Sequence, residues 1–271
     1  MYRIGLFATG RGQGSRQLVE AIHEAIKSGR LKARIDFIFS NREAGEFDPT
    51  DGFFQLVHDL GYPLVTHSFR KYRERVGKIG DWRTGYDREV MALLKSFSPD
   101  LCVLAGYLLI WSAEMCDRYT AVNLHPASPG GPIGMWQKVI WELIATKAET
   151  SGNMIFHVTK DLDRGPVVSY GTFSLRGSDI EQAWKAVEGV PVERLMKDPG
   201  EELPLFKSIR ERGALRERPL VVETLRAFTA GEVKIDQGTV IDSMGCPTPG
   251  LDLTDQIEAY LRRTSHSSES S

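Results

Sequence analysis

Two short apolar runs that end abruptly in polar residues constrain this chain more than any other feature. Leu101-Cys102-Val103-Leu104-Ala105-Gly106-Tyr107 is followed, after a short helical span, by Ala121-Val122-Asn123-Leu124-His125-Pro126. In an extended chain alternate residues share a face, so Asn123 and His125 project together while Leu124 turns towards the core. Pro126 has no N–H to give a ladder and halts the strand. An amide and an imidazole are thereby set side by side at a strand end, where open α/β sheets carry their ligand crevice. A second strand-like run, residues 153–159, carries His157 and leads into a loop with Asp163 and the turn-forming pair Gly165-Pro166. Most Asn-x-His pairs merely satisfy backbone groups near a turn. With an Asp on a neighbouring loop, the set gains the means to activate an attacking amine and hold a developing oxyanion.

The same alternation of strand and helix runs through the first 175 residues. Ile4-Gly5-Leu6-Phe7-Ala8 reads as a buried strand, Thr9 to Ser15 as a glycine-rich turn, and Leu18, Val19, Ala21, Ile22, Ala25 and Ile26 as the apolar side of a helix. Free N–H groups and the helix dipole at such a turn favour an anion. It is neither a Walker A loop nor a clean dinucleotide fingerprint. Further strands are predicted at 33–39 and 62–65, and helices at 53–60, 87–97 and 135–145. The segment 69–83 is basic and reads as a solvated face, and 126–134 is too rich in Pro and Gly to be anything but an irregular loop. The fold class is α/β: a doubly wound, mostly parallel sheet flanked by helices.

The runs AGYLLIWSAEM, VNLHP and FHVTKDLDRGPVV, in that order, resemble the folate-dependent formyltransferase family over about residues 1–175. The resemblance implies transfer of a formyl group from 10-formyltetrahydrofolate to a primary amine without a metal. Glycinamide ribonucleotide is the first choice of acceptor. Carried over residue by residue, the catalytic set is Asn123, His125 and Asp163. The folate would lie against Tyr107, Leu108, Leu109, Ile110 and Trp111, with His157 and Leu162. The acceptor's phosphate would lie at Gly12, Gln13, Gly14, Ser15 and Arg16, in a loop longer than the family's. Leu109 stands where the family often has Arg, and Trp111 where it has Leu. Three rivals carry weight, namely formylation of a nucleotide-linked amino sugar, hydrolysis of formyltetrahydrofolate and a degenerate scaffold that binds without catalysis, and behind them stands an NAD oxidoreductase. The last is disfavoured by the missing G-x-G-x-x-G.

Beyond residue 175 the chain is expected to form a C-terminal extension, 176–263, packed on the catalytic domain 1–175. It holds a helix capped by Ser178 or Asp179, an inserted connection at 191–205 and a charged helix at 205–228, with Arg210, Arg212, Arg216 and Arg218 paired to Glu211 and Glu217. A last edge strand is expected at 233–235, and a disordered Ser-rich tail at 264–271. A net charge of −2 gives no field for nucleic acid or an anionic membrane. No apolar run approaches the ~18 residues of a membrane span. Three cysteines without Cys-x-x-Cys suit reduced thiols and no zinc site. With no signal-peptide pattern at Met1-Tyr2-Arg3, a cytoplasmic monomer or homodimer acting on a small molecule is expected.

Overall fold

The computed structural model describes residues 1–77, 80–162 and 164–268, with side chains to residue 263. In chain order the elements are β1 (Tyr2–Phe7), α1 (Gln13–Lys27), β2 (Ala33–Ser40), α2 (Asp48–Asp59), β3 (Leu64–Thr66), α3 (Phe69–Val76), α4 (Trp82–Leu93), β4 (Leu101–Leu104), α5 (Ala113–Arg118) and β5 (Ala121–His125). Then come α6 (Trp136–Ala145), β6 (Thr150–His157), β7 (Val167–Ser174), α7 (Glu181–Lys185), α8 (Val192–Lys197), α9 (Pro204–Ala230), β8 (Val233–Asp236), β9 (Thr239–Asp242), β10 (Leu251–Asp252) and α10 (Thr254–Ser268). These elements fall into two compact units, and neither is one continuous stretch of chain. The first comprises residues 1–123, 156–166 and 225–247, and the second 124–155, 167–224 and 248–271.

In the first unit the strand order is β6-β5-β4-β1-β2-β3, with only the end of β6 and residues 121–123 of β5 included. β1 pairs parallel with β2 and β4, β2 with β3, and β4 with β5. Parallel neighbours require crossovers, and helices supply them. Strands of this kind are buried on both faces, which is why they read as continuous apolar runs. The core is strongly aromatic: Phe7 meets Trp111 edge-on at 4.9 Å and Tyr107 at 5.6 Å, with Phe37, Phe39, Tyr72 and Tyr86 around them. The basic segment after β3 folds into α3 and the start of α4. Arg70, Lys71 and Arg75 lie at the surface, against Glu46, Glu43 and Glu89, whereas Arg73 and Arg83 are half-buried over the Trp82 ring, so the solvated face is only partial; Lys78 lies outside the described residues. Ion pairs with solvent-exposed cations of this kind add little to stability.

The run 233–235 does form a strand, but not the last edge of the main sheet. β8 instead folds back on β9 as a separate antiparallel pair. Gln237 and Gly238 both have left-handed backbones, φ 46° and 80°, as a two-residue type I′ turn demands. The reversal happens too soon for β8 to go elsewhere.

In the second unit the order is β10-β7-β6, and the two-residue β10, parallel to β7, is the edge. Val139, Ile140, Leu143 and Ile144 of α6 form one apolar stripe at helical spacing. They share a core with Phe173, Leu175, Leu205, Phe206 and Ile209. The inserted connection contains α8 and a 3₁₀ turn at Gly200–Glu202. Asp179 does not cap α7, whose N-cap is Ile180 with no side-chain hydrogen bond; its carboxylate pairs with Arg212 at 2.5 Å instead. Arg210 takes Glu217 as expected, whereas Arg216 takes Glu258 of α10. α10 carries helical backbone through residues 264–268, where a disordered tail is expected; residues 269–271 lie outside the described residues.

Candidate active site

β5 places the amide and the imidazole. Asn123 is half-buried and stands in register with Leu104, the last residue of β4. His125 is only 5% exposed, and its Nε2 lies 2.9 Å from the Pro132 carbonyl in the irregular loop before α6. A carbonyl can only accept, so Nε2 is the donor in this contact. Leu124 is half-buried, less deeply set than strict alternation predicts.

The glycine-rich turn is tied to the loop after β4 within the first unit. The Thr9 N–H donates to the Gly106 carbonyl and the Leu108 N–H donates to Thr9 Oγ1, both at 3.3 Å. Gly106 has φ 74°, and a Cβ there would stand 2.6 Å from Ser15 Oγ. A larger residue would separate the two loops. α1 starts at Gln13 with Gly12 as its N-cap, which brings no side-chain cap. The first amides of the helix are thus left for another acceptor. Gly12, Gln13 and Gly14 are exposed, Arg16 is half-buried, and Ser15 is buried beneath Gly106.

The loop after β4 divides its side chains. Tyr107 and Trp111 (3% exposed) are part of the aromatic core, and burial pushes the Tyr107 phenol well above its ordinary pKa. Leu109 and Ile110 are half-buried, whereas Leu108 is 58% exposed. Leu162 of the same unit is 54% exposed. The structure therefore brings the candidate folate residues into one unit but leaves only some of their side chains open to a ligand. The Trp111 ring packs edge-on against Phe7 instead of standing open to solvent.

His157 ends β6 at 8% exposure, with Nδ1 buried and without a hydrogen-bond partner among the described residues. Burial holds its imidazole below the usual pKa, and a hydrogen bond to the Gly238 backbone acts in the opposite direction. Gly165 packs directly on this strand end: a Cβ there would fall 1.7 Å from the His157 carbonyl oxygen. Asp163 lies outside the described residues. Sequence reasoning missed Thr9, Pro132 and Gly238. All three act through backbone atoms or short hydroxyl contacts, which leave little trace in residue type; only the Gln237-Gly238 turn pair was a visible signal.

The formyl transferase family model matches residues 6–175, well over half of the chain. The chain belongs to the formyl transferase family. It is 27% identical over 173 residues to the Escherichia coli phosphoribosylglycinamide formyltransferase, covering 63% of this chain and 73% of that protein. The Schizosaccharomyces pombe enzyme of the same name is 28% identical over 166 residues, 57% of this chain and 76% of that one. Among solved structures it resembles glycinamide ribonucleotide transformylase 1 of Symbiobacterium toebii, with a TM-score of 0.62 at 20% identity, over 89% of this chain and 93% of that chain. A formyltetrahydrofolate deformylase from Burkholderia mallei gives 0.57 at 18% identity over 89% and 69%. Both structures share this chain's fold. As a member of the family the chain is an enzyme of formyl transfer, its mostly parallel sheet flanked by helices and followed by a helical C-terminal region. No helix among the described residues is long and apolar enough to cross a membrane.

Proposed function

We propose that the enzyme transfers the formyl group of 10-formyltetrahydrofolate to the primary amine of a phosphorylated acceptor, glycinamide ribonucleotide first. The observation that carries this reading is the tie between the glycine-rich turn and the loop after β4, through Thr9, Gly106 and Leu108. It joins an anion-binding helix start to the loop that would hold a flat pterin ring, with β4 in register with Asn123. Exposed Leu108 and Leu162 supply apolar cover of the kind a ring needs, and an apolar slot with backbone donors suits its hydrogen-bonding edge.

In this mechanism the amine attacks the formyl carbon, and the C–O π electrons move to oxygen in a tetrahedral intermediate. Asn123 donates its amide N–H to that oxygen. His125 adds a second, charge-assisted donor when protonated. Asp163 favours the charged imidazole and helps carry a proton from the attacking amine to the folate nitrogen, which leaves with the electron pair of the broken C–N bond.

Folate absorbance, followed with and without glycinamide ribonucleotide, tests the reading. Turnover that requires the nucleotide supports it; formate released without any amine makes the enzyme a deformylase. Arg16→Gln then reports on the phosphate. Loss of one charge-assisted hydrogen bond, about 1.5–3 kcal/mol, raises KM for the phosphorylated acceptor by tenfold or more with kcat little changed. An unchanged KM removes Arg16 from the site.

His157 gives a pH signature. Its folded pKa is depressed, so protons bind the unfolded chain more readily. Its contribution to stability is complete above the unfolded pKa of ~6.5 and declines as pH falls below that value towards the folded pKa. Urea midpoints for the wild type should therefore drop more steeply between pH 6.5 and 5 than those of His157→Gln. Parallel curves for the two proteins would show that His157 titrates alike in both states.

A further inference from the structure

The family match ends at residue 175, and the chain beyond it builds most of a groove within the second unit. Its volume is about 510 Å³, inside the ~300–1,000 Å³ range of small-molecule sites. Buried Ile144, Val187 and Leu195 make an apolar floor. The charged residues on its walls are Lys147, Arg176, Lys185, Glu181 and Glu188. Lys185 and Glu181 face each other at 3.7 Å one helical turn apart, which leaves two cations against one carboxylate.

Of the two cations, Arg176 is held in place by its side-chain contacts. Arg176 stacks on Trp184 at 4.3 Å, and its Nη2 donates to the Lys147 carbonyl at 2.7 Å. Lys147 follows the C-cap of α6 with φ 50°, a left-handed backbone for which Gly is the strain-free choice. A glycine there would ease the backbone but remove an ammonium from the groove. Strain kept at a non-Gly residue is worth tracing to a function.

We propose that this groove binds a small organic anion with an apolar body, its charge taken by Arg176 and Lys147 and its body laid on Val187 and Leu195. The inference stands apart from formyl transfer, since none of these residues belongs to the candidate active site. The probe is 8-anilinonaphthalene-1-sulfonate, titrated into the full chain and followed by fluorescence. Saturable one-to-one binding is expected in the wild type and in His125→Ala alike. Arg176→Gln and Lys147→Gln should each weaken it about tenfold, the effect of losing ~1.4 kcal/mol. Lys147→Gly should weaken it too while raising Tm, so that lost affinity is not mistaken for lost folding. Equal affinity in all these variants, displacement of the probe by a folate analogue, or no binding by the wild type would each overturn the proposal.

Discussion

Replacing His125 by alanine should lower kcat by about 10²- to 10³-fold, the usual consequence of removing one preorganised donor to an oxyanion at ~3–4 kcal/mol. The loss should fall on kcat and kcat/KM together, because the oxyanion exists only on the way through the transition state. The variant also leaves the Pro132 carbonyl without its 2.9 Å partner, at a cost of roughly 1–3 kcal/mol in stability if that oxygen stays dry. Thermal unfolding must therefore accompany the kinetics, and a folded His125→Ala with unimpaired turnover would sink the assignment. Asn123→Ala should resemble it. Asp163→Asn should cripple turnover while sparing the fold, because an amide cannot favour the charged imidazole as a carboxylate does. Groups that act as one unit are not additive, so a double variant of Asn123 and His125 should lose little beyond the worse single.

The parts of this fold that could be read from sequence are those whose physics is local. Continuous apolar runs mark strands buried on both faces, and α6 shows its stripe at helical spacing. The strand ends at Asn123 and His125 were legible because Pro126 cannot continue a ladder. Parts that depend on partners distant in sequence were not. Nothing about Asp179 says that Arg212, rather than the helix start beside it, will take its carboxylate. Nor does residue type reveal that Trp111 turns into the core against Phe7 while Leu108 stays out. β8 was visible as a strand, but its partner was decided by the Gln237-Gly238 turn, which brings β9 alongside before any other strand can compete. Around His125 and His157, likewise, the backbone partners at Pro132 and Gly238 left no mark in residue type.

The second large effect is expected at a residue with no chemistry of its own. A methyl group on Gly165 would have to occupy a point 1.7 Å from the His157 carbonyl oxygen, and what it meets is backbone. A flexible side chain could swing aside; this oxygen is fixed, since the His157 N–H donates to the Pro166 carbonyl at 2.9 Å and the next N–H, of Val158, to the Ala121 carbonyl at 2.8 Å. Gly165→Ala must therefore either push the loop off the strand end or break that pairing. Overpacking usually costs ~1–3 kcal/mol, and a clash this close against paired backbone should exceed that range. The expected result is a lower urea midpoint, and a kcat reduced at least as far as in His125→Ala, because Asp163 stands only two residues before Gly165 in sequence. Full stability with lost turnover would mean that the loop moved as a unit and that Gly165 serves the site alone. Full stability with full turnover would mean that the close approach at His157 is not a feature of the working enzyme.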